Sequence, residues 1–324
     1  MNWITMDDGT KLNVRRWPDN DLSKKKVRGV LHIVHGMAEH SARYERLALK
    51  LCAEGYEVWA ADQRGHGFTA DPNVNDPGKG GLLGHCYDND GFGRVTSDIE
   101  FLNRQIRKAN PGVPVFLMGH SWGSFIAQNY IETYGGCFPG VSEPVKLAGC
   151  VLSGTRGPFG AAAAALPVMS FLRFVKGRRN GSKAAKFLAD GSYNNSFKPN
   201  RTPFDWLSRD NDEVDAYVKD PMCGILCSSG FYRDLVNGLK KIAGAEAYKR
   251  IRTDLPVYIF SGNSDPVGEM GVSTTALVDI YRKTGIKDLE FIMYPDARHE
   301  TLNETNREEV TANLLTWLNK HTMD

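Results

Sequence analysis

Ser121 lies in the run Gly119-His120-Ser121-Trp122-Gly123. A serine hydroxyl is a poor nucleophile at neutral pH. It attacks a carbonyl only when a base takes its proton and an acid orients that base. A sharp strand-to-helix turn lifts the hydroxyl clear of the backbone, and it closes only if the neighbours two residues away lack side chains. Gly119 and Gly123 meet that need. The turn also puts the Trp122 backbone N–H at a helix N-terminus, where developing negative charge is favoured. A glycine-rich turn without chemistry has the same composition, so the surroundings must decide. An apolar run ends at Gly119 and a helical pattern starts just past the serine, as the chemical reading requires.

Triads on such turns run serine, acid, histidine along the chain. Only His299 and His321 follow Ser121. His321 lies beyond the last helical pattern, where fraying is expected. His299 follows an apolar run in "YPDARHE", a loop at a strand's C-terminal end, where sites of open α/β sheets form. Two carboxylates compete for the acid. Asp265, in "SGNSDPVG", stands on a turn at another strand's end and would anchor the ring to the sheet. Asp296 lies three residues before His299 and offers only a local contact, so Asp265 is favoured. A second oxyanion donor is expected from an early loop. The pair His35-Gly36 lets the backbone turn sharply and present the Met37 N–H. His35, His40 and His66 match no zinc spacing, and Cys223 and Cys227 have no second pair. His35 and His66 are expected to hydrogen-bond the loops around the site, and no metal or cofactor is implied. "GKGGLLGH" and "RGHGFT" lack the residues of phosphate and dinucleotide loops.

The elements that must hold these residues are legible as punctuated apolar runs. A hairpin surrounds Asp7-Asp8-Gly9-Thr10. Strands are predicted over Val27–Gly36, Tyr56–Gly67, Pro114–Gly119, Leu147–Gly154, Leu255–Asp265 and Leu289–Asp296, with helices near 44–53, 122–134, 272–284 and 304–320. Continuous apolar strands alternating with helices imply the α/β class, with a mostly parallel central sheet flanked by helices. From about Thr155 to Gly230 the alternation stops. An alanine-rich helix, Ala161 to Val175, is followed by a polar stretch too long for a connection. We read residues 1–154 and 236–324 as the core and 155–235 as an inserted helical cap over the strands' C-terminal edge.

The 324 residues carry 40 basic and 38 acidic side chains, a net charge of +2 that argues for neither nucleic acid nor an anionic surface. No stretch approaches the roughly 20 apolar residues that cross a bilayer. The N-terminus has early acids and no apolar signal region, so a cytoplasmic protein is expected. Six scattered cysteines fit that setting.

Together "HGMAEHSARY", "DQRGHGFT", "GHSWGS", "FSGNSDPVG" and "YPDARHE", in this order, resemble the α/β-hydrolase fold. More narrowly they are similar to the bacterial monoacylglycerol lipase and lysophospholipase group of serine hydrolases. The resemblance implies Ser121 as nucleophile, His299 as base, Asp265 as its partner, and the Met37 and Trp122 N–H groups as oxyanion donors. Position 122 is often methionine in this group, so the indole puts the shape of the acyl pocket in question. The helix Ala161–Val175 is apolar almost all round and ends near Arg173, Lys176, Arg178 and Arg179. It reads either as a lid touching lipid transiently, with bases at head groups, or as an ordinary cap helix. The expected reaction is cleavage of carboxylic esters of monoacylglycerol or lysophospholipid type through an acyl-enzyme. The alternatives are an aminopeptidase or amidase, a short-chain carboxylesterase, and a hydrolase fold used only for binding. Dehalogenation or epoxide opening would need an aspartate where Ser121 stands.

Overall fold

The apolar runs lie side by side as strands in a computed structural model that describes residues 2–18, 27–134, 137–138, 145–160 and 162–322. A hairpin of β1 (Asn2–Thr5) and β2 (Lys11–Trp17) leads to β3 (Gly29–Val34), α1 (Glu45–Ala53) and β4 (Tyr56–Ala61). Then come α2 (Gly91–Ala109), β5 (Val115–His120), α3 (Trp122–Tyr134), a small ribbon of β6 (Cys137–Phe138) and β7 (Val145–Lys146), and β8 (Gly149–Ser153). Next are helices α4 (Ala162–Lys176), α5 (Lys183–Asp190), α6 (Asn211–Lys219), α7 (Ser229–Ile242) and α8 (Ala245–Tyr248). The chain returns through β9 (Val257–Gly262), α9 (Val272–Lys283), β10 (Leu289–Tyr294) and α10 (Arg307–Lys320). Among the described residues the main sheet has eight strands, ordered β1-β2-β4-β3-β5-β8-β9-β10. It is antiparallel at β1/β2 and β2/β4 and parallel elsewhere. Every residue of β3, β4, β5, β8 and β9 is buried, which is why these strands read as unbroken apolar runs.

The sequence reading omits α2. Its start, Gly91-Phe92-Gly93, looks like a loop, yet the Asp90 carboxylate accepts the Gly93 N–H at 3.0 Å and caps the helix. Phe92, Val95, Ile99, Leu102 and Ile106 then repeat on one buried face. The alanine-rich helix begins at Ala162, and Ala161 lies outside the described residues. Position 235, where the insertion was expected to end, falls inside α7, whose Phe231, Val236 and Leu239 join the same core as Phe92 and Phe125.

Two constraints fix the loops at the C-terminal edge of the sheet. The first is steric. A Cβ at Gly123 would lie 2.1 Å from the Val34 carbonyl oxygen and 2.6 Å from that of His35, and a Cβ at Gly119 would lie 2.3 Å from the Gly123 oxygen. The turn therefore packs backbone on backbone, and Ser121 adopts φ 52°, in the left-handed region. The second is electrostatic. The buried Arg43 guanidinium donates to Glu39 at 2.7 Å and, through two nitrogens, to both oxygens of Glu300 at 2.7 Å. Glu39 in turn accepts the Gly36 N–H at 2.5 Å and the Tyr44 hydroxyl at 2.9 Å. Burial alone would raise both carboxyls. The Arg43 charge outweighs it, holding Glu39 down to about 2 and Glu300 below its ordinary value.

Gly123→Ala is expected to lose about 3 kcal/mol of stability, because rigid backbone oxygens block the methyl; an unchanged urea midpoint would refute that account. Arg43→Met leaves two buried carboxylates unpaired and should lose about 3–5 kcal/mol at neutral pH. The stabilisation from depressed carboxyls is complete above their ordinary value near 4.5 and disappears as pH falls through about 2 for Glu39. The stability gap between Arg43→Met and the unaltered protein, followed by urea melts, should therefore narrow in acid.

Candidate active site

β5 delivers Ser121 to the sheet edge, and α3 starts immediately after it. The Ser121 N–H donates to the Ser153 carbonyl at the end of β8 at 2.9 Å, so the turn is stitched to the neighbouring strand. The Ser121 carbonyl accepts the N–H groups of Ser124 and Phe125 at 2.8 and 3.3 Å, closing the first turn of α3. The Trp122 N–H belongs to that first turn, where no intrahelical acceptor exists. Met37 lines the same pocket as Ser121, from the loop after β3. The next residue, Ala38, has φ 57°, so this loop too bends through the left-handed region.

His299 and Asp265 meet from two different strand ends. His299 Nδ1 lies 2.9 Å from Asp265 Oδ1, and both side chains are almost fully buried. The Val267 N–H donates to the same oxygen at 2.9 Å, and the Ser261 hydroxyl donates to Oδ2 at 3.3 Å. The carboxylate is thus held without rotational freedom. Asp296 is exposed, at φ 57°, and its N–H donates to Asn263. Burial opposes a charged His299 ring, but the Asp265 charge and hydrogen bond, with Glu300 and Glu39 behind them, outweigh it and raise its pKa above 6.5. The neighbouring His120 ring is 4.9 Å away, with Nδ1 3.1 Å from the Ser153 hydroxyl. Burial and the His299 charge push it down to about 4, so it adds no competing positive charge at neutral pH.

His35 and His66 serve the loops. The Gln63 N–H donates to His35 Nε2 at 2.9 Å, which leaves Nδ1 to donate to the Gly36 carbonyl at 2.7 Å. His66 Nδ1 lies 3.0 Å from the Arg64 carbonyl, and burial pushes this ring down to about 3. His40 pairs with Asp220 at 2.8 Å, with Cys223 close enough that the three offer ligand atoms within 4.8 Å. The adjacent Arg43 charge opposes a cation there.

Two spaces flank the site. The pocket holding Ser121 and His299 is the smaller, about 40 Å³. Beside it lies a cavity of about 700 Å³, lined by Phe125, Phe159, Met169, Leu188, Val236 and Leu239, with the Arg156–Glu269 ion pair (2.5 Å) on its wall. Trp206 on the pocket side and Tyr193 on the cavity side stack edge-on, 5.1 Å apart. Trp206 also packs against the His299 ring at 5.0 Å. The expected influence of Trp122 on this space is absent. Its indole turns away, stacked on His66 at 5.4 Å and against Phe231 at 5.2 Å, and lines neither space. Trp206, Arg43 and Glu300 are site residues that sequence reasoning missed. Glu39 and Arg43 stand in "HGMAEHSARY" and Glu300 follows His299, but nothing local shows that they pair.

The chain resembles known proteins along most of its length. A monoacylglycerol lipase of Mycolicibacterium smegmatis is 27% identical over 306 residues, covering 94% of this chain and 91% of the relative. A monoglyceride lipase of Saccharomyces cerevisiae is 26% identical, covering 97% and 92%. A thermostable carboxyl esterase from Bacillus coagulans superposes with a TM-score of 0.86 at 28% identity, covering 99% and 98% of the two chains. Residues 25–306 match the Hydrolase_4 family, described as serine aminopeptidase, S33, and the chain belongs to that family as an α/β-hydrolase-fold, monoacylglycerol lipase-like protein.

Proposed function

We propose that the protein hydrolyses carboxylic esters of lipid type, with Ser121 as nucleophile, His299 as base and Asp265 as its orienting acid. The observation that carries this reading is the buried 2.9 Å contact between Asp265 and His299, which lines the same pocket as Ser121. With Nδ1–H held by Asp265, Nε2 of His299 is the basic nitrogen. It takes the Ser121 proton as Oγ attacks the ester carbonyl, and the Met37 and Trp122 N–H groups receive the oxyanion. His299 returns the proton to the departing alcohol. It then activates water to release the acid from the acyl-enzyme.

The 700 Å³ apolar cavity supports an acyl chain as the part of the substrate bound there, and the relatives named as monoacylglycerol or monoglyceride lipases point the same way. In this reading residues 155–235 act as the cap. Phe171, Phe174 and Phe187 are 64%, 85% and 72% exposed on α4 and α5, which supports transient contact with a lipid surface. Of the bases expected at head groups, Arg178 and Arg179 instead reach Asp88. Among the described residues no helix is long and apolar enough to cross a membrane. Free thiols at Cys86, Cys150, Cys223 and Cys227, all buried, support a reducing setting such as the cytoplasm. The family description keeps aminopeptidase action as the second reading.

Ser121→Ala should lower kcat by about four orders of magnitude or more; near-normal esterase turnover would end the assignment. Asp265→Asn should lose roughly 10³–10⁴-fold in kcat, and Asp296→Asn little. The reverse order would transfer the role to Asp296. The base must be neutral to accept a proton, and its pKa is raised, so kcat/KM should rise with pH through an apparent pKa above 6.5. A limb near 4 would point to a group such as His120 instead. In a panel of monoacylglycerols, lysophospholipids, short aryl esters and aminoacyl amides, long-chain glycerol esters should lead. Preference for aminoacyl amides would favour the peptidase reading.

A further inference from the structure

We propose that Lys186 and Asp190 of α5 bind the alcohol part of the ester and select an uncharged polyhydroxy group over a phosphate-bearing one. This inference rests on the esterase reading above.

Helix α5 is short and fixed at its start by Ser182, whose hydroxyl accepts the Ala185 N–H at 3.2 Å. Lys186 and Asp190 stand four residues apart, on one helix face. Both line the pocket that holds Ser121 and His299. Leu188 and Ala189, between them in sequence, line the 700 Å³ apolar cavity instead. One helix therefore turns a charged pair toward the small compartment containing the nucleophile and apolar side chains toward the larger cavity beside it. An acyl chain belongs in the apolar side, which leaves the alcohol of the ester on the side of Lys186 and Asp190.

The chemistry of the pair fits that role. Lys186 Nζ lies 2.5 Å from Asp190 Oδ2, and the two side chains are 34% and 7% exposed. Burial pushes the Asp190 carboxyl up, and the Lys186 charge and hydrogen bond pull it back. A partly buried ion pair of this kind adds little net stability. It does place donor and acceptor capacity side by side. The ammonium has three N–H donors, of which Asp190 takes one, and the carboxylate keeps a second oxygen. Adjacent hydroxyls can satisfy both at once. A phosphate can approach Lys186 only by lying against the Asp190 carboxylate, so the pair recognises hydroxyls and repels a second anion.

The test compares three esters of one fatty acid on the full chain: the 1-monoacylglycerol, the 1-acylglycerol 3-phosphate and the p-nitrophenyl ester. The unaltered enzyme should prefer the monoacylglycerol to the phosphate ester by about tenfold or more in kcat/KM. Lys186→Met should lower the monoacylglycerol value about tenfold more than the p-nitrophenyl value, and Lys186→Arg should restore most of that difference. Asp190→Asn, which leaves the ammonium unopposed, should shift the ratio toward the phosphate ester by about tenfold. An unchanged ratio of monoacylglycerol to aryl ester in both variants would overturn the proposal. So would a parallel fall on all three esters, which marks a structural role, or a preference of the unaltered enzyme for the phosphate ester. Inactivity of the unaltered enzyme even toward the aryl ester would instead bring down the esterase reading, and this proposal with it.

Discussion

The geometry at the sheet edge depends on one buried cation. Arg43 sits between Glu39, in the loop after β3, and Glu300, the residue after His299. Two carboxylates so close together and so deeply buried would repel each other and resist ionisation without it. Because Glu39 also holds the Gly36 N–H, the loop carrying Met37 and the loop carrying His299 are fixed against a single point charge. Tyr217, from α6, covers the guanidinium at 4.8 Å and donates its hydroxyl to the Ala38 carbonyl. Helix α6 thus braces the same point. His299 is braced twice more, by the Trp206 ring and by a 3.4 Å hydrogen bond from its N–H to the Trp206 carbonyl.

The spaces around the serine follow from how helices divide them. Trp122 was the residue whose bulk could have intruded on an acyl chain, and the backbone contact at Gly123 explains why it does not. α3 is pressed against the Val34 and His35 carbonyls, and the indole is directed into the gap between His66 and Phe231. The large cavity takes its shape from α4, α5 and α7 instead.

The candidate site was legible where its signals are local or ordered along the chain. Gly119 and Gly123 mark the turn because no side chain fits there, and the order Ser121, Asp265, His299 needs no three-dimensional information. The strands were legible because burial on both faces leaves unbroken apolar runs. α2 escaped because two glycines open it, and only the Asp90 cap and the spacing of Phe92, Val95, Ile99 and Leu102 reveal it. Arg43 and Glu300 escaped because charged residues read as surface until a partner is known, and theirs lies 257 positions away. Position 235 lies within α7, which packs on α2 and α3 as well as on α4, so the sequence shows no break there.

That separation has a consequence during synthesis. A chain emerging from the ribosome exposes Glu39 and Arg43 long before Glu300 exists, and the close contact of β3 with β5 can form while this pairing is still incomplete. Until the last partner arrives, Arg43 has one carboxylate instead of two, and water remains the better solvent for the pair. The loop carrying Met37, early in the sequence, thus acquires its complete set of contacts only after residue 300 has been made.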